Sequence, residues 1–399
     1  MLGDSLTGVR VVDFTQVAAG PVCTHMLADL GANVIKIEAP QGELGRALAP
    51  FVEGQSLAFL ALNGNKRSVA LDLKDPPQRE AALQLAAGAD VVVESFRPGV
   101  MQRLGLGYED VRQRNAGVIY CSVSAYGQES AWRHKPGVDG VLQAVSGLMS
   151  VTGLPDAPPC KVQVPIVDMV TGYTAAIGVL GALARRARDG AGQWIDSGMF
   201  ASAIALQEAS FAAYFAEGVA PARIGSAAPY AAPNEAVRCS DGWIMLAAYH
   251  PARWEALCDV LDCRALLSDP RFLDLSGRIA HRQELVALLE ERMVLRSRSD
   301  WLQRFEGVDI ICAPINDYAE AAASPVFAGG HLAETVQHPV AGDLTLACTP
   351  LRAVGEVPRT RRPAPLVGEH TCEVLREAGI PLAGPREQWL ARKGKTPCR

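Results

Sequence analysis

Short, nearly unbroken apolar runs alternate with longer segments of helical periodicity through the first third of the chain. Val9-Arg10-Val11-Val12-Asp13-Phe14 has the composition of a strand buried on both faces. Ala18-Ala19-Gly20-Pro21 then opens a helix, with proline in the first turn, where its missing N–H matters least, and Gly31 stops it. Asn33-Val34-Ile35-Lys36-Ile37-Glu38 is the next strand and completes a β-α-β unit of the usual ~30 residues. The pattern recurs, with strands predicted at 68–73, 89–94, 118–123 and 193–196 and helices at 77–87, 108–115, 138–149, 171–186 and 200–217. Such alternation implies a mainly parallel sheet covered on both faces, an α/β fold with a Rossmann-like large domain.

The pattern changes near Gly218. Residues 220–233 are rich in Ala, Pro, Gly and Ser, as linkers are. A strand is predicted at 242–246 and helices at 251–261, 278–295 and 299–305, the makings of a small α+β domain. A second irregular stretch, 324–342, leads out of it, and the tail ends in a short helix at 371–378. The expected plan is a large domain at 1–217 completed by 343–399, linkers at 218–233 and 324–342, and a small domain at 234–323.

Of the 399 residues 49% are hydrophobic, ample for a core, and 20% are charged, a low share that suggests surface hidden in a subunit interface. The net charge of −5 disfavours a global nucleic-acid or anionic-membrane binder. Ten cysteines, at 23, 121, 160, 239, 258, 263, 312, 348, 372 and 398, include no CxxC pair, and the seven histidines form no HxxxH or HExxH. No metal site is expected, and the thiols read as small buried side chains in a reducing compartment. The N-terminus lacks a signal-peptide arrangement, and the longest apolar stretch, 175–184, is too short to span a bilayer. A soluble cytoplasmic protein is expected.

One carboxylate stands out. Asp168 follows the apolar run of Val164-Pro165-Ile166-Val167 and precedes a small-residue helix. Burial there is costly unless something pairs with the group or uses it. It reads either as a helix N-cap or as a nucleophile, since carboxylates form covalent acyl intermediates. The turn after the first strand, residues 13–21, lacks GxGxxG, so a dinucleotide is not expected there, although small side chains would let a ligand approach the helix N-terminus. Lys66 and Arg67 precede one strand, while Phe96, Arg97 and Arg103 follow another. A ring and a guanidinium at a strand C-terminus suit a purine and a phosphate, with surface salt bridging as the competing reading. No GxSxG elbow is present, and Cys23 and His25 point to different faces of one helix.

Taken together the chain resembles the family III CoA-transferases. The matching stretches include Val12-Asp13-Phe14-Thr15, Leu30-Gly31-Ala32-Asn33-Val34-Ile35-Lys36-Ile37-Glu38, Asn65-Lys66-Arg67-Ser68, Leu71-Asp72-Leu73-Lys74, Glu94-Ser95-Phe96-Arg97-Pro98-Gly99, Tyr126-Gly127-Gln128, the Asp168 segment, Gly190-Ala191-Gly192-Gln193 and Gly368-Glu369-His370-Thr371. The resemblance implies an interlocked homodimer of ring-shaped chains, with the small domain set between the two linkers. It implies that Asp168 attacks an acyl-CoA thioester and becomes an aspartyl-CoA thioester. An aspartate of ordinary pKa, ~3.9, would be ionised at neutral pH and need no general base. The resemblance places CoA contacts at Gln16, Val17, Ala18, Leu71, Lys74, Ser95, Phe96, Arg97 and Arg103. Coenzyme A or its thioester is thus the substrate, with no permanently bound cofactor. Many members carry an arginine after K-I-E, where this chain has Ala39; Arg46 or Lys74 is the expected substitute.

The racemase branch of the family uses a histidine in a G-H-D stretch. Here the stretch is Gly137-Val138-Asp139, and valine moves no proton, which favours transfer over racemisation. His134 is displaced nearby and keeps the racemase as the alternative, alongside a non-catalytic acyl-CoA-binding protein. By analogy with the family, the donor is expected to be succinyl-CoA and the acceptor a small dicarboxylate.

Overall fold

The protein is described by a computed structural model over residues 2–356 and 361–381; the sequence readings at 357–360 and 382–399 lie outside the described residues. Six strands form a parallel sheet: β1 (Arg10–Phe14), β2 (Asn33–Glu38), β3 (Arg67–Ala70), β4 (Val91–Glu94), β5 (Ile119–Ser124) and β6 (Gln193–Gly198). Their order is β3-β2-β1-β4-β5-β6, all parallel. The order reverses between β1 and β4. Connections leaving these two strands diverge to opposite faces and open a crevice at their carboxyl ends.

Both faces are covered. Val12, Phe14, Ile35, Val69 and Val92 pack under α2 (Pro76–Ala87), while Val11, Val34, Val91 and Ile119 pack under α1 (Ala19–Asp29) and α4 (Ile166–Asp189). Helix α3 (Asp139–Val145) lies between β5 and α4 in the chain, and α5 (Met199–Ala205) follows β6. Gly172 lets α1 and α4 approach closely: a Cβ there would stand 2.5 Å from Val22 Cβ and 2.7 Å from the Ala19 carbonyl oxygen. The return of the chain covers the edge strand β3 with α9 (Thr371–Glu377). The Ala70 amide donates to Thr371 Oγ1 at 3.0 Å, the His370 amide donates to the Ser68 carbonyl at 2.9 Å, and Arg67 pairs with Glu373 and Glu377.

A buried charge network ties β1 to its neighbours. Asp13 is fully buried, and its Oδ1 accepts from the Thr15 amide and hydroxyl, at 2.8 and 2.6 Å. Lys66 Nζ lies 3.1 Å from Asp13 Oδ2, 2.7 Å from Thr24 Oγ1 and 2.9 Å from Asn63 Oδ1. Lys36 Nζ donates to the Thr15 carbonyl at 2.8 Å and stands 4.0 Å from Asp13 Oδ2 and 3.7 Å from Glu43 Oε1. Burial alone would raise the Asp13 carboxyl; Lys36, Lys66 and the two threonine hydroxyls outweigh it and hold the group at about 2. Burial drives Lys66 down to about 8 against the pull of Asp13. Both groups are therefore charged at neutral pH. Lys66 is neither a ligand cation nor a surface ion pair, because its partners close around it inside the fold; Arg67 pairs with the half-exposed Glu373 and Glu377, which fits the salt-bridge reading.

The second compact unit comprises Met149–Cys160 and Val219–Gly329. Its antiparallel sheet orders β7 (Asn234–Cys239), β8 (Gly242–Ala247) and β9 (Ile311–Pro314) as β9-β8-β7. Helices α6 (Pro251–Val260), α7 (Arg282–Met293) and α8 (Arg298–Glu306) pack on it through Trp254, Leu285, Leu289 and Trp301.

Several elements differ from the sequence reading. The stretch 324–342, expected as an irregular linker, contains a helix (Pro325–Gly329) and β10 (Ala333–His338), which pairs with β11 (Gly342–Ala347). In β10 only Val336 is both apolar and buried, and in β11 only Leu344, a weak signal beside the sheet strands. Residues 149–160 group with the second unit, and those from Gly330 onward with the first. The expected helix 200–217 is two, α5 and Glu208–Glu217, and 138–149 is broken at Gly147, which has φ +90°. Helix α4 begins earlier than predicted and is long and apolar enough to cross a membrane by length and composition alone, which the run 175–184 did not reveal; its apolar stripe of Val167, Ala175, Ala176, Val179 and Ala182 is buried in the core.

Replacing Lys66 by Met should cost about 3–5 kcal/mol at pH 7, because it leaves Asp13 buried without its nearest cation. Guanidinium unfolding measures this, and adding Asp13→Asn to Lys66→Met should recover part of the loss.

Candidate active site

The crevice at the β1/β4 switch point holds two adjoining cavities. One, of about 470 Å³, is lined by Gln16, Val17 and Ala18 beyond β1, by Ser95, Phe96 and Arg97 beyond β4, by the end of β5, and by Asp168. The other, of about 800 Å³, is lined by Leu71, Lys74 and Arg103. Gln16 and Phe96 wall both. All ten residues singled out in the sequence thus border one continuous region. Leu71 is 0% exposed and packs in the core, so its side chain supports the wall instead of facing a ligand.

The turn after β1 is held in an uncommon shape. Val17 has φ +66°, an outlier for a β-branched residue. Side chains from elsewhere hold the strain: the Gln16 amide donates to Ser95 Oγ at 3.0 Å and the Val17 amide to Glu43 Oε2 at 3.2 Å. Gly20 is required for packing and not for ligand approach, since a Cβ there would lie 2.4 Å from Thr15 Cβ. Beyond β4, buried Glu94 accepts from the Phe96 amide at 2.8 Å and fixes the aromatic turn; burial, the largest influence, pushes its carboxyl up to about 7.

Asp168 is the third residue of α4, so it is not the N-cap; Pro165 holds that position and offers no capping side chain. The capping oxygen comes from α3. Asp139 Oδ2 accepts from the amides of Val167 at 2.8 Å and Asp168 at 3.3 Å. Burial first, and Asp139 second, push the Asp168 carboxyl up to about 7. The sequence-based expectation of a carboxyl fully ionised at neutral pH is therefore corrected: low-dielectric walls and a like charge disfavour the anion.

Cations line both cavities, in the larger one together with Glu38, Asp72 and Asp75. Arg97, Arg133 and Lys135 line the cavity of Asp168, and Lys74 and Arg103 the larger one. Arg46 does not substitute for the arginine that Ala39 replaces. Its guanidinium is spent on Glu38, at 2.6 and 2.7 Å, and lies 3.7 Å over the Phe59 ring. Lys74 and Arg103, which line the larger cavity together with Ala39, are the cations left for that corner. Val138 lines the Asp168 cavity, whereas His134 lines an adjoining depression with Glu129, Trp194 and Asp196, walled in common by Pro98 and Arg133, and accepts from Arg133 at 3.1 Å. Sequence reasoning missed Glu43, Glu94 and the capping role of Asp139. Only the position of Glu94 at a strand end beside Phe96 carried any signal.

A carboxyl raised on folding adds stability that is complete below its ordinary value of 3.8 and lost as pH rises through about 7. Asp168→Asn should therefore unfold at higher denaturant than the parent protein at pH 8, by about 1–2 kcal/mol, and match it at pH 4, in urea melts at the two pH values.

The model of CoA-transferase family III matches residues 6–371. The succinyl-CoA:mesaconate CoA-transferase of Haloarcula marismortui is 36% identical over 94% of this chain and 97% of its own. The human succinyl-CoA:glutarate CoA-transferase is 34% identical over 93% of this chain and 85% of its own. The crystal structure of a CaiB/BaiF family protein from Brucella suis superposes with a TM-score of 0.84 at 34% identity, covering 94% of this chain and 99% of that one. With its parallel sheet, its switch-point crevice and this extent of similarity, the chain belongs to CoA-transferase family III.

Proposed function

We propose that this protein moves CoA from succinyl-CoA to a small dicarboxylic acid through an aspartyl-CoA thioester on Asp168. The observation that carries this reading is the place of Asp168: a half-buried carboxyl in the same cavity as the turns that follow β1 and β4. A carboxylate oxygen of Asp168 attacks the thioester carbonyl, the C–S bond breaks, and CoA leaves as the thiolate from a mixed anhydride. The thiolate then attacks the aspartyl carbonyl carbon, and the donor acid departs as its carboxylate. The acceptor carboxylate repeats both steps in reverse. Each exchange trades one acyl derivative for another, so neither redox chemistry nor a resident cofactor is required.

Five cations along the two cavities suit a ligand carrying a pyrophosphate, a further phosphate and carboxylates, and Phe96 offers a ring face to the base. The names of the two curated relatives support a succinyl donor and a dicarboxylate acceptor. The same reading includes an interlocked homodimer, and the exposure of Ile177 and Phe215 supports a covered apolar surface on the large unit. His134 lies outside the Asp168 cavity, which disfavours the racemase alternative.

Succinyl-CoA incubated with a panel of four- to six-carbon dicarboxylates should give the corresponding new CoA thioester on chromatography. A panel with no product sinks the substrate assignment. Asp168→Asn should lower turnover by about 10³-fold or more, and hydroxylamine added with acyl-CoA should convert Asp168 to its hydroxamate, located by peptide mass spectrometry. The rate of that trapping should rise with pH through about 7, as the anion forms.

A further inference from the structure

We infer that Asp139 is a positioning residue for Asp168, one that seats the first turn of α4 and whose charge makes the free carboxylate at 168 a less favourable state than the uncharged aspartyl thioester. The inference rests on the reading of Asp168 as the nucleophile. Its geometry is independent of that reading. Asp139 is 7% exposed and bridges two elements. Its Oδ2 takes the amides of Val167 and Asp168, and its Oδ1 takes Gln143 Nε2 at 2.5 Å. Gln143 in turn clamps the approach to α4, donating to the Val162 carbonyl at 3.1 Å and accepting from its amide at 2.9 Å.

A helix N-terminus welcomes one negative charge. Here two carboxyl groups share one terminus: Asp139 occupies the capping position, and Asp168 follows in the first turn. No charged residue of α1 or β5 lines the cavity, and α5 contains none. The loops present Arg97, Arg133 and Lys135, and Lys161 stands near Gly140 on the approach to α4. Burial first and Asp139 second raise the Asp168 carboxyl to about 7.

Protonation and acylation neutralise the same group. In the net half-reaction, Asp168 carboxylate and acyl-CoA give Asp168 thioester and the free acid's carboxylate. One negative charge leaves position 168 and departs on the released acid. Whatever Asp139 adds to the free energy of ionised Asp168 is therefore returned when the thioester forms. The two equilibria are linked: at a pH above the midpoint, where free Asp168 is ionised, each pH unit removed from that midpoint should cost tenfold in the ratio of thioester to free enzyme.

Asp139→Asn keeps an acceptor oxygen for the two amides and removes the charge; Asp139→Ala removes both. The Asp168 midpoint is read in ligand-free enzyme by carboxyl carbon NMR, assigned by difference against Asp168→Asn. The thioester ratio is read as hydroxylamine-trapped Asp168 after equilibration with succinyl-CoA and succinate. In Asp139→Asn the midpoint should fall by about one unit and, at a pH above the midpoint, the thioester ratio by about tenfold; Tm should fall somewhat, because the new amide nitrogen faces Gln143 Nε2. Asp139→Ala should repeat both changes and lower Tm further. A thioester in the parent with an unmoved midpoint in Asp139→Asn overturns this inference alone. No thioester in the parent overturns the nucleophile at 168, and this inference with it. A midpoint that falls while the thioester ratio holds breaks the linkage and also overturns the inference.

Discussion

The ion cluster around Asp13 is the constraint on which the rest of the crevice depends. A fully buried carboxylate at the end of β1 is tolerable only with cations and hydroxyls closed around it, and each partner comes from a different element. Thr24 brings in α1, Lys36 brings in β2, and Lys66 brings in the approach to β3. Satisfying one charge therefore fixes how four segments meet. The turn at Gln16–Ala18 emerges from that junction, and Glu43, 3.7 Å from Lys36, reaches on to hold the Val17 amide. The backbone strain at Val17 persists because its surroundings over-determine it.

Burial sets the chemistry of the site with opposite outcomes at two kinds of carboxyl. Asp13 and Glu38 are surrounded by cations and stay below their ordinary values despite burial, whereas Glu94 and Asp168 lack such partners and are raised to about 7. The first pair belongs to the frame. Of the second pair, Asp168 lines the cavity, and buried Glu94 holds the Phe96 turn that walls it. An acid whose anion is poorly solvated gains more from becoming an uncharged acyl derivative than one bathed in water, and the proposed transfer through Asp168 draws on that difference. Other cations, Lys74, Arg97, Arg103, Arg133 and Lys135, line the cavity walls, where a polyanionic ligand would meet them.

The strands of the parallel sheet could be read from the chain because strands buried on both faces leave nearly continuous apolar runs, and β2 was bounded residue for residue. The half-buried strands β7, β9, β10 and β11 were not: buried Glu235 and His338 break the apolar pattern of β7 and β10, β9 has only four residues, and β11 buries Leu344 alone. Helix breaks at Gly147 and Gln207 also escaped notice. Periodicity continues across both, and the Gln207 side chain finds its partners only in the fold, at the Ser146 and Ala203 carbonyls. The site residues were gathered from motifs, and the structure brings them to one region. The error lay in roles: Lys66 and Arg46 were candidates to meet a ligand's phosphate, and each is paired with a buried carboxylate of the frame, Asp13 and Glu38.

By itself the sequence determined the alternation of strand and helix, the crevice-forming turns after β1 and β4, and a lone carboxyl at position 168 between apolar stretches, since these depend on neighbours within a few residues. Tertiary structure alone decided which charges are spent on the frame and which face the cavity, and that Asp139, 29 residues from Asp168, caps its helix and opposes its ionisation. Electrostatic free energy depends on distance and burial in space, and neither is written in the order of residues along the chain.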